Sequence, residues 1–435
     1  MKHSKLATFI GAAALVTLPS ISLAQAAPNV LLIIADDMGI DASNCYSLGN
    51  QQADMPNIEA LCAQGVVFDN AYSAPLCSPT RATIMTGQYG FRTGVGSAIT
   101  RDNSAGLSAD ETSLFDVLAK TDYASNLIGK WHLASTDDDY DHPAQLGVSD
   151  FWGLFSGAMR DYSNWSAVSN GQRINVSDYS TTAITDKAID WIDKQNDPWF
   201  LWLAYTAPHT PFHLPPEDLH SAELSGTKQD IQKDPLPYYN AMLEAMDTEI
   251  GRLLSTMDEA TRNNTVVMFV GDNGTPGRVA RSVYGEHGAK GSIYEGGVHV
   301  PLIVSGPGIE ASRESGFVQT VDIFATVASI ARAEYSTPDS YSFAPALYGQ
   351  GVSREYVYVE HFGTESKENS ANVYGWAMRE GNYKLVQKDA AEAELFNLAE
   401  DPLEKTDLLA DGISEDEAGL IANMQTRYQR LMTSQ

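Results

Sequence analysis

The chain has 435 residues, with 28 Lys and Arg against 56 Asp and Glu, for a formal net charge of −28. A surface this acidic repels a phosphate backbone, so nucleic acid is a poor partner. The length suffices for one large α/β unit and a smaller one.

The first 26 residues have the form of an export leader. Lys2 and Lys5 precede an apolar stretch from Leu6 to Leu18, and Ala24-Gln25-Ala26 fits a small-x-small cleavage site. No Cys follows to carry a lipid, and no later apolar run reaches the roughly 18 residues that span a bilayer. The expectation is an exported protein without a membrane span, periplasmic or secreted, cleaved near Ala26.

The first element after the leader is Asn29 to Ala35 (NVLLIIA), apolar throughout, as in a strand covered on both faces. It ends in Asp36-Asp37. Residues 77–87 read CSPTRATIMTG. Pro79 suits the first turn of a helix, where its missing N–H costs nothing. Cys77 then stands where helix N–H groups favour an anion, and Arg81 shares its face one turn on. A helix is predicted from Ser108 to Lys120, with an acidic first turn. Asn126 to Gly129 is a weaker strand leading into Lys130-Trp131-His132, where alternation sends Lys130 and His132 to one face.

Thr181 to Lys194 carries Ile184, Ala188, Trp191 and Ile192 on one helical stripe. Trp199 to Tyr205 is a third strand, followed by Ala207-Pro208-His209 in a loop stiffened by prolines. A helix from Pro237 to Met257 follows, with Met242, Met246, Ile250 and Leu253 on one face. Thr265 to Val270 is a fourth strand, running into Gly271-Asp272-Asn273-Gly274. Lys290 lies just ahead of Glu295-Gly296-Gly297-Val298, and Val318 to Ala331 reads as an apolar helix. Beyond about residue 340 the texture changes to alternating strands, Tyr356 to Glu360, Asn382 to Val386 and Glu394 to Leu398, closed by a helix from Ser414 to Met432.

Several strands thus end in chemically rich residues, as open α/β sheets do when they carry a site at their carboxyl edge. Asp36, Asp37, Asp272 and Asn273 offer only oxygen. Buried carboxylates need a countercharge, and a hard cation between two strand ends supplies it. Zinc is disfavoured, because no His or Cys sits with them at a ligand spacing.

The string C-x-P-x-R-x-x-x-T-G at Cys77 to Gly87 resembles the signature of the sulfatase family. GKWHLA, APHTP, GDNG and the K-x4-EGG segment follow in that family's order, so the resemblance covers nearly the whole mature chain. It implies an alkaline-phosphatase-like α/β fold, a large mixed sheet flanked by helices, with a smaller C-terminal antiparallel sheet plus helix. It implies a leader over 1–26, a catalytic domain over 27–340 and a C-terminal subdomain over 341–435.

The implied chemistry is sulfate ester hydrolysis. A maturation enzyme would oxidise Cys77 to formylglycine (3-oxoalanine), whose hydrate attacks sulfur. Asp36, Asp37, Asp272, Asn273 and the modified Cys77 would hold one Ca²⁺. Arg81 and Lys130 would orient the hydrate, His132 would be the base, and His209 and Lys290 would bind sulfate oxygens and assist the leaving group. The substrate would be an alkyl or aryl sulfate ester, a sulfated small molecule or glycan. One alternative is a phosphonate monoester or phosphodiester hydrolase on the same scaffold. Another is a sulfated-glycan-binding protein without catalysis.

Thr80 stands where a Ser is commoner in the motif, and His299 where relatives often carry Arg. His213, His287 and His299 read as loop or supporting residues, and His361 as a weak substrate contact. Selectivity is expected from the loops Thr100 to Asn103, Thr136 to Asp141 and Phe155 to Asn164. Trp152, Tyr162 and Trp165 are candidates for stacking on a sugar or aryl ring, with core packing as the other reading. Cys45 and Cys62 either pair or stay as separate buried thiols.

Overall fold

The computed structural model describes residues 27–49, 51–100, 106–134, 139–285, 287–363, 373–388 and 391–434. The leader and its cleavage site lie outside the described residues, as do parts of the loops at 100–103 and 136–141.

One sheet of ten strands organises the larger part of the chain. In chain order they are β1 (Asn29–Ala35), β2 (Val66–Tyr72), β3 (Ala124–Gly129), β4 (Trp152–Gly153), β5 (Trp165–Ser169), β6 (Gln172–Val176), β7 (Trp199–Ala204), β8 (Thr265–Gly271), β9 (Leu302–Ser305) and β10 (Ser312–Gln319). Their spatial order is β10-β2-β9-β8-β1-β7-β3-β4-β5-β6. The central strands β8, β1, β7 and β3 are parallel neighbours, while β9, β5 and β6 run antiparallel to theirs. The four predicted strands are those four central ones, and their carboxyl ends come out side by side.

Alternation along β1 explains why its run is apolar on every residue. Val30, Leu32 and Ile34 enter a core on one face, with Trp202, Met268 and the helix residues Ala82, Ile84 and Met85. Leu31, Ile33 and Ala35 enter the core on the other face, beneath helices Ser180–Ile192 and Leu236–Thr256. Cys45 and Cys62 are joined in a disulfide, which ties the segment after β1 to helix Pro56–Gln64.

Two predicted helices are shorter than expected. The one placed at Ser108 forms only over Leu114–Leu118, because the capping box is built from Ser113 and Asp116 rather than from Ser108. The run from Val318 divides: Val318 and Gln319 pair with Ala71 and Tyr72 as the end of β10, and the helix is Asp322–Ile330.

The C-terminal part forms a separate antiparallel sheet of four strands, β11 (Tyr356–Phe362), β12 (Val373–Glu380), β13 (Tyr383–Lys388) and β14 (Glu394–Asn397). One face packs Val357, Val359, Ala377, Val386 and Phe396 against Tyr72, Ile293, Tyr294 and Val298 of the larger unit. Helix Glu415–Thr433 covers the other face, where Trp376 stacks on Tyr428 at 4.2 Å between ring centres. Buried charge crosses the seam. Lys384 bridges Glu295 and Glu404 at 2.9 Å each, and Arg354 clasps Asp322.

Glu360 of β11 lies at the same seam and has no basic partner among the described residues. Its carboxylate accepts from the Phe91 amide at 2.9 Å and the Tyr358 hydroxyl at 3.0 Å. Burial pushes its pKa from 4.5 up to about 7. Between those values the folded chain keeps a proton the unfolded chain has lost, so stability falls as pH rises through the window and is flat above it. Glu360→Gln is therefore expected to gain up to about 3 kcal/mol on the parent between pH 5 and pH 8. Urea unfolding of both chains at the two pH values checks this; parallel pH dependence would refute it.

Candidate active site

Four adjacent strand ends deliver most of the site. The last residues of β1 and β8 are in register, Ala35 beside Gly271, so Asp36-Asp37 emerges beside Asp272-Asn273. On the other side of β1, Ala204 of β7 pairs with Ile34 and with Gly129 of β3. That register brings Lys130 and the loop bearing His209 to the same edge. Trp131 turns into the core while Lys130 and His132 reach the site, as alternation predicted, although His132 does so with φ at 58°. Asp37 also has a positive φ, 77°. Strained backbone of this kind in non-glycine residues concentrates at functional sites.

Cys77 opens helix Cys77–Thr86, every residue of which is buried. Arg81 extends from the next turn to donate to the Lys130 carbonyl and to Asp272, both at 2.8 Å. Lys130 meets Asp36 at 2.6 Å, Lys290 contacts Asp37, and His209 lies 3.8 Å from Asp37. The Lys290 amide bonds the Thr275 carbonyl, which seats its loop on the segment after β8. Gly274 is required there: a Cβ would come within 1.9 Å of the Gly296 carbonyl, so the D-N-G turn and the E-G-G turn interlock.

The oxygen donors are arranged for a cation. Ligand atoms of Asp36, Cys77 and Asp272 all lie within 4.8 Å of one another. Asn273 gives its amide N–H to Asp37 at 2.8 Å. Its Oδ1 and the Oδ1 of Asp36 are buried and accept no hydrogen bond. Buried oxygens without donors are costly, and a hard cation satisfies both. His209 groups with Asp36 and Asp37 in the same distance range, so a nitrogen ligand is within reach too.

The electrostatics set protonation. Burial works to raise the Asp36 carboxyl, but Lys130, with His209, holds it below its ordinary value. Burial and the Asp36 charge push Asp272 up. Burial also raises the Cys77 pKa, despite Lys130 and Lys290. The unmodified side chain is therefore a thiol, a weak nucleophile. Burial and the Lys130 charge press His132 well below its ordinary value, so its imidazole is neutral.

All ten residues singled out in the sequence converge: Asp36, Asp37, Cys77, Arg81, Lys130, His132, His209, Asp272, Asn273 and Lys290. Other expectations change. Trp152, Tyr162 and Trp165 are buried, so stacking on a ligand gives way to packing. His299 lies outside the site, between Glu295 and the Asp69 carbonyl at 2.9 Å each and stacked on Tyr72. His287 packs on Tyr294 and Phe396.

Tyr162, marked in the sequence only as a stacking candidate, is a supporting residue. Its hydroxyl lies 2.6 Å from the carbonyls of both Thr206 and His209, and its ring packs on His213. It thereby clamps the loop that carries His209, in which Ala207-Pro208 and Thr210-Pro211 are cis.

Comparison with known proteins agrees with this architecture. The family model for sulfatases matches residues 28–333, and that for the C-terminal part of N-sulphoglucosamine sulphohydrolase matches 285–433. The chain belongs to the sulfatase family. It is 29% identical to dog N-acetylgalactosamine-6-sulfatase over 74% of this chain, but matches only 66% of that enzyme's own length, just under two thirds. It is 26% identical to chicken arylsulfatase K, covering 88% of this chain and 79% of that one. Among solved structures, Ps i-CgsB in complex with k-i-k-neocarrahexaose superposes with a TM-score of 0.79 at 23% identity, over 93% of each chain. BT4656 bound to its substrate, D-glucosamine-2-N,6-O-disulfate, does so at 0.75 and 22%, covering 93% of this chain and 98% of that one. These two share the fold.

The Tyr162 clamp yields a measurable expectation. Tyr162→Phe removes the one hydroxyl hydrogen shared by the His209 and Thr206 carbonyls, of which Thr206 keeps the His209 amide, and is expected to lower stability by about 1–2 kcal/mol. Urea unfolding measures it; an unchanged midpoint would remove the clamp from the account.

Proposed function

We propose that the protein is a sulfuric ester hydrolase that releases inorganic sulfate from a sulfated carbohydrate. The observation that carries this reading is the meeting of Cys77, three basic side chains and three carboxylates at the ends of four adjacent parallel strands. The names of relatives and structural neighbours support a sulfated sugar: one acts on N-acetylgalactosamine-6-sulfate by its name, and one is bound to a sulfated glucosamine.

We assign Cys77 as the precursor of formylglycine, made by a maturation enzyme. Asp36, Asp37, Asp272, Asn273 and modified residue 77 would hold one Ca²⁺. When present, the hydrated aldehyde supplies two hydroxyls on one carbon and the cation supplies positive charge beside them. The chain's own residues do the rest. Arg81 is fixed at both terminal nitrogens, and its buried Nε has no partner, leaving a donor for a group built at position 77. Lys130 and Lys290 hold charge against an anionic ester, each contact worth about 3 kcal/mol if it strengthens in the transition state. Neutral His132 accepts a proton at the nitrogen facing position 77. His209, partly exposed, is placed to protonate the leaving oxygen.

We assign residues 27–340 as the catalytic domain and 341–435 as the C-terminal subdomain. Export to the periplasm or medium follows from the leader, and the Cys45–Cys62 disulfide fits an oxidising compartment.

The deciding experiment compares sulfate release from sulfated sugars and aryl sulfates with hydrolysis of an aryl phosphodiester, using chain co-expressed with a formylglycine-generating enzyme. Sulfate release is expected to dominate; a faster phosphodiester rate would transfer the assignment to the related hydrolase. Residue 77 should weigh about 18 Da less than cysteine, H₂S having left and O entered. Cys77→Ala should fold normally yet release no sulfate, and wild-type turnover in that variant would sink the nucleophile.

Removing divalent cations should lower both the melting temperature and turnover, with Ca²⁺ restoring each. A melting temperature indifferent to exhaustive chelation and to added Ca²⁺ would overturn the cation assignment.

A further inference from the structure

The contacts around His132 form a closed path that begins and ends at the Cys77 peptide unit. The ring Nε2 lies 3.0 Å from the Ile99 carbonyl, and Nδ1 lies 3.3 Å from Cys77 Sγ. A carbonyl only accepts, so Nε2 carries the hydrogen and Nδ1 presents its lone pair to position 77. The Ile99 amide in turn donates to Ser78 Oγ at 3.1 Å. Ser78 is fully buried and is the residue directly after Cys77. The third side of the ring is closed by Gly157, where a Cβ would come within 2.3 Å of Nε2.

We infer that Ser78 is a positioning residue, which fixes the backbone of Ile99 at its amide so that the Ile99 carbonyl holds His132 as the Nε2–H tautomer with Nδ1 aimed at position 77. The inference rests on the reading of His132 as a base. It assigns work to the variable position of the C-x-P-x-R string, a side chain that touches neither the carboxylates nor the basic groups. Its hydroxyl oxygen braces the Ile99 amide, and the carbonyl of that same residue is the only described partner of the imidazole besides Cys77. A neutral imidazole whose proton moved to Nδ1 would face position 77 with a donor and lose its capacity as base there.

The test reads the tautomer without turnover. Nine histidines are present, so ¹⁵N-histidine labelling of the unmatured Cys77 chain, with His132→Gln to assign the signal, resolves His132 by NMR. The parent chain is expected to show the Nε2–H form alone; a parent signal of the Nδ1–H form overturns the inference with no variant needed. Ser78→Ala should give a mixture of tautomers, and Ser78→Thr, which keeps the acceptor, should restore the single form. In matured enzyme, with rates expressed per formylglycine by mass, Ser78→Ala should lose roughly tenfold to a hundredfold in kcat, the scale of a misplaced general base, with KM little changed.

A Ser78→Ala chain that retains the single tautomer refutes the brace, whether or not kcat falls. Absence of sulfate release from the parent enzyme would count against the proposed function and leave the tautomer result standing.

Discussion

The structure depends on the mutual neutralisation of charges buried at the carboxyl ends of β8, β1, β7 and β3. Asp36, Asp37 and Asp272 are almost fully buried, as are Arg81 and Lys130. Any one of them alone would cost several kcal/mol to desolvate. Together they pair: Lys130 with Asp36, Arg81 with Asp272, Lys290 with Asp37. Register enforces the pairing, because a one-residue slip of β1 against β8 would turn Asp36 toward the opposite face. The apolar faces of β1, packed on both sides, are what hold that register. A cation and an anionic ester would enter this cluster with opposite charges, so its overall balance would change less than the arrival of either alone implies.

This local neutrality also reconciles an acidic chain with an anionic substrate. The net charge of −28 belongs mainly to the surface, where it is screened over about 8–10 Å at ordinary salt. Within the cluster the dielectric is low and near neighbours decide. Lys290 and His209 are the basic members that remain partly exposed, so an approaching anion would meet the Lys290 charge before it met the buried carboxylates.

The core of the fold and the chemistry of the site were legible because both are written locally. A strand buried on both faces must be largely apolar, and β1, β7 and β8 are, while β3 carries Ser125 and Asn126 and gave the weaker signal. β1, β3 and β8 give way at once to Asp36, Lys130 and Asp272, and β7 reaches His209 after a short loop, so the change of composition marks the sheet edge. The flanking strands gave no such signal. Ser312–Gln319 is mostly polar and exposed, Gln172–Val176 likewise, and Trp152–Gly153 is two residues long. Such segments become strands through their neighbours, which propensity does not record. Helix Leu114–Leu118 was misplaced because two serines competed for its cap and only Ser113 has an acid three residues on that bonds back. Tyr162 was noticed as an aromatic, but its role lies in its hydroxyl, aimed at two backbone carbonyls. Ile99 contributes its backbone amide and carbonyl, which have no signature in sequence.

The loop from Phe155 to Asn164 couples the surface beside the candidate site to the interior of that site. It was expected to vary with substrate, yet it is anchored at two points of the catalytic apparatus. Gly157 forms a wall of the His132 seat, and Tyr162 holds the carbonyl of His209. A side chain at 157 would displace the imidazole, and a shift of Tyr162 would release the loop opposite. Between the anchors, Ala158, Arg160 and Asp161 are exposed while Met159 points inward. These three side chains face solvent, Asp161 also accepting from the Ser163 amide at 2.8 Å, while the ends of the segment stay fixed. Since both anchors bear on His132 and His209, lengthening this loop would shift the two imidazoles as well as the surface. Under the proposed function, selectivity in this loop would fall to its short exposed stretch, strung between residues whose positions the site fixes.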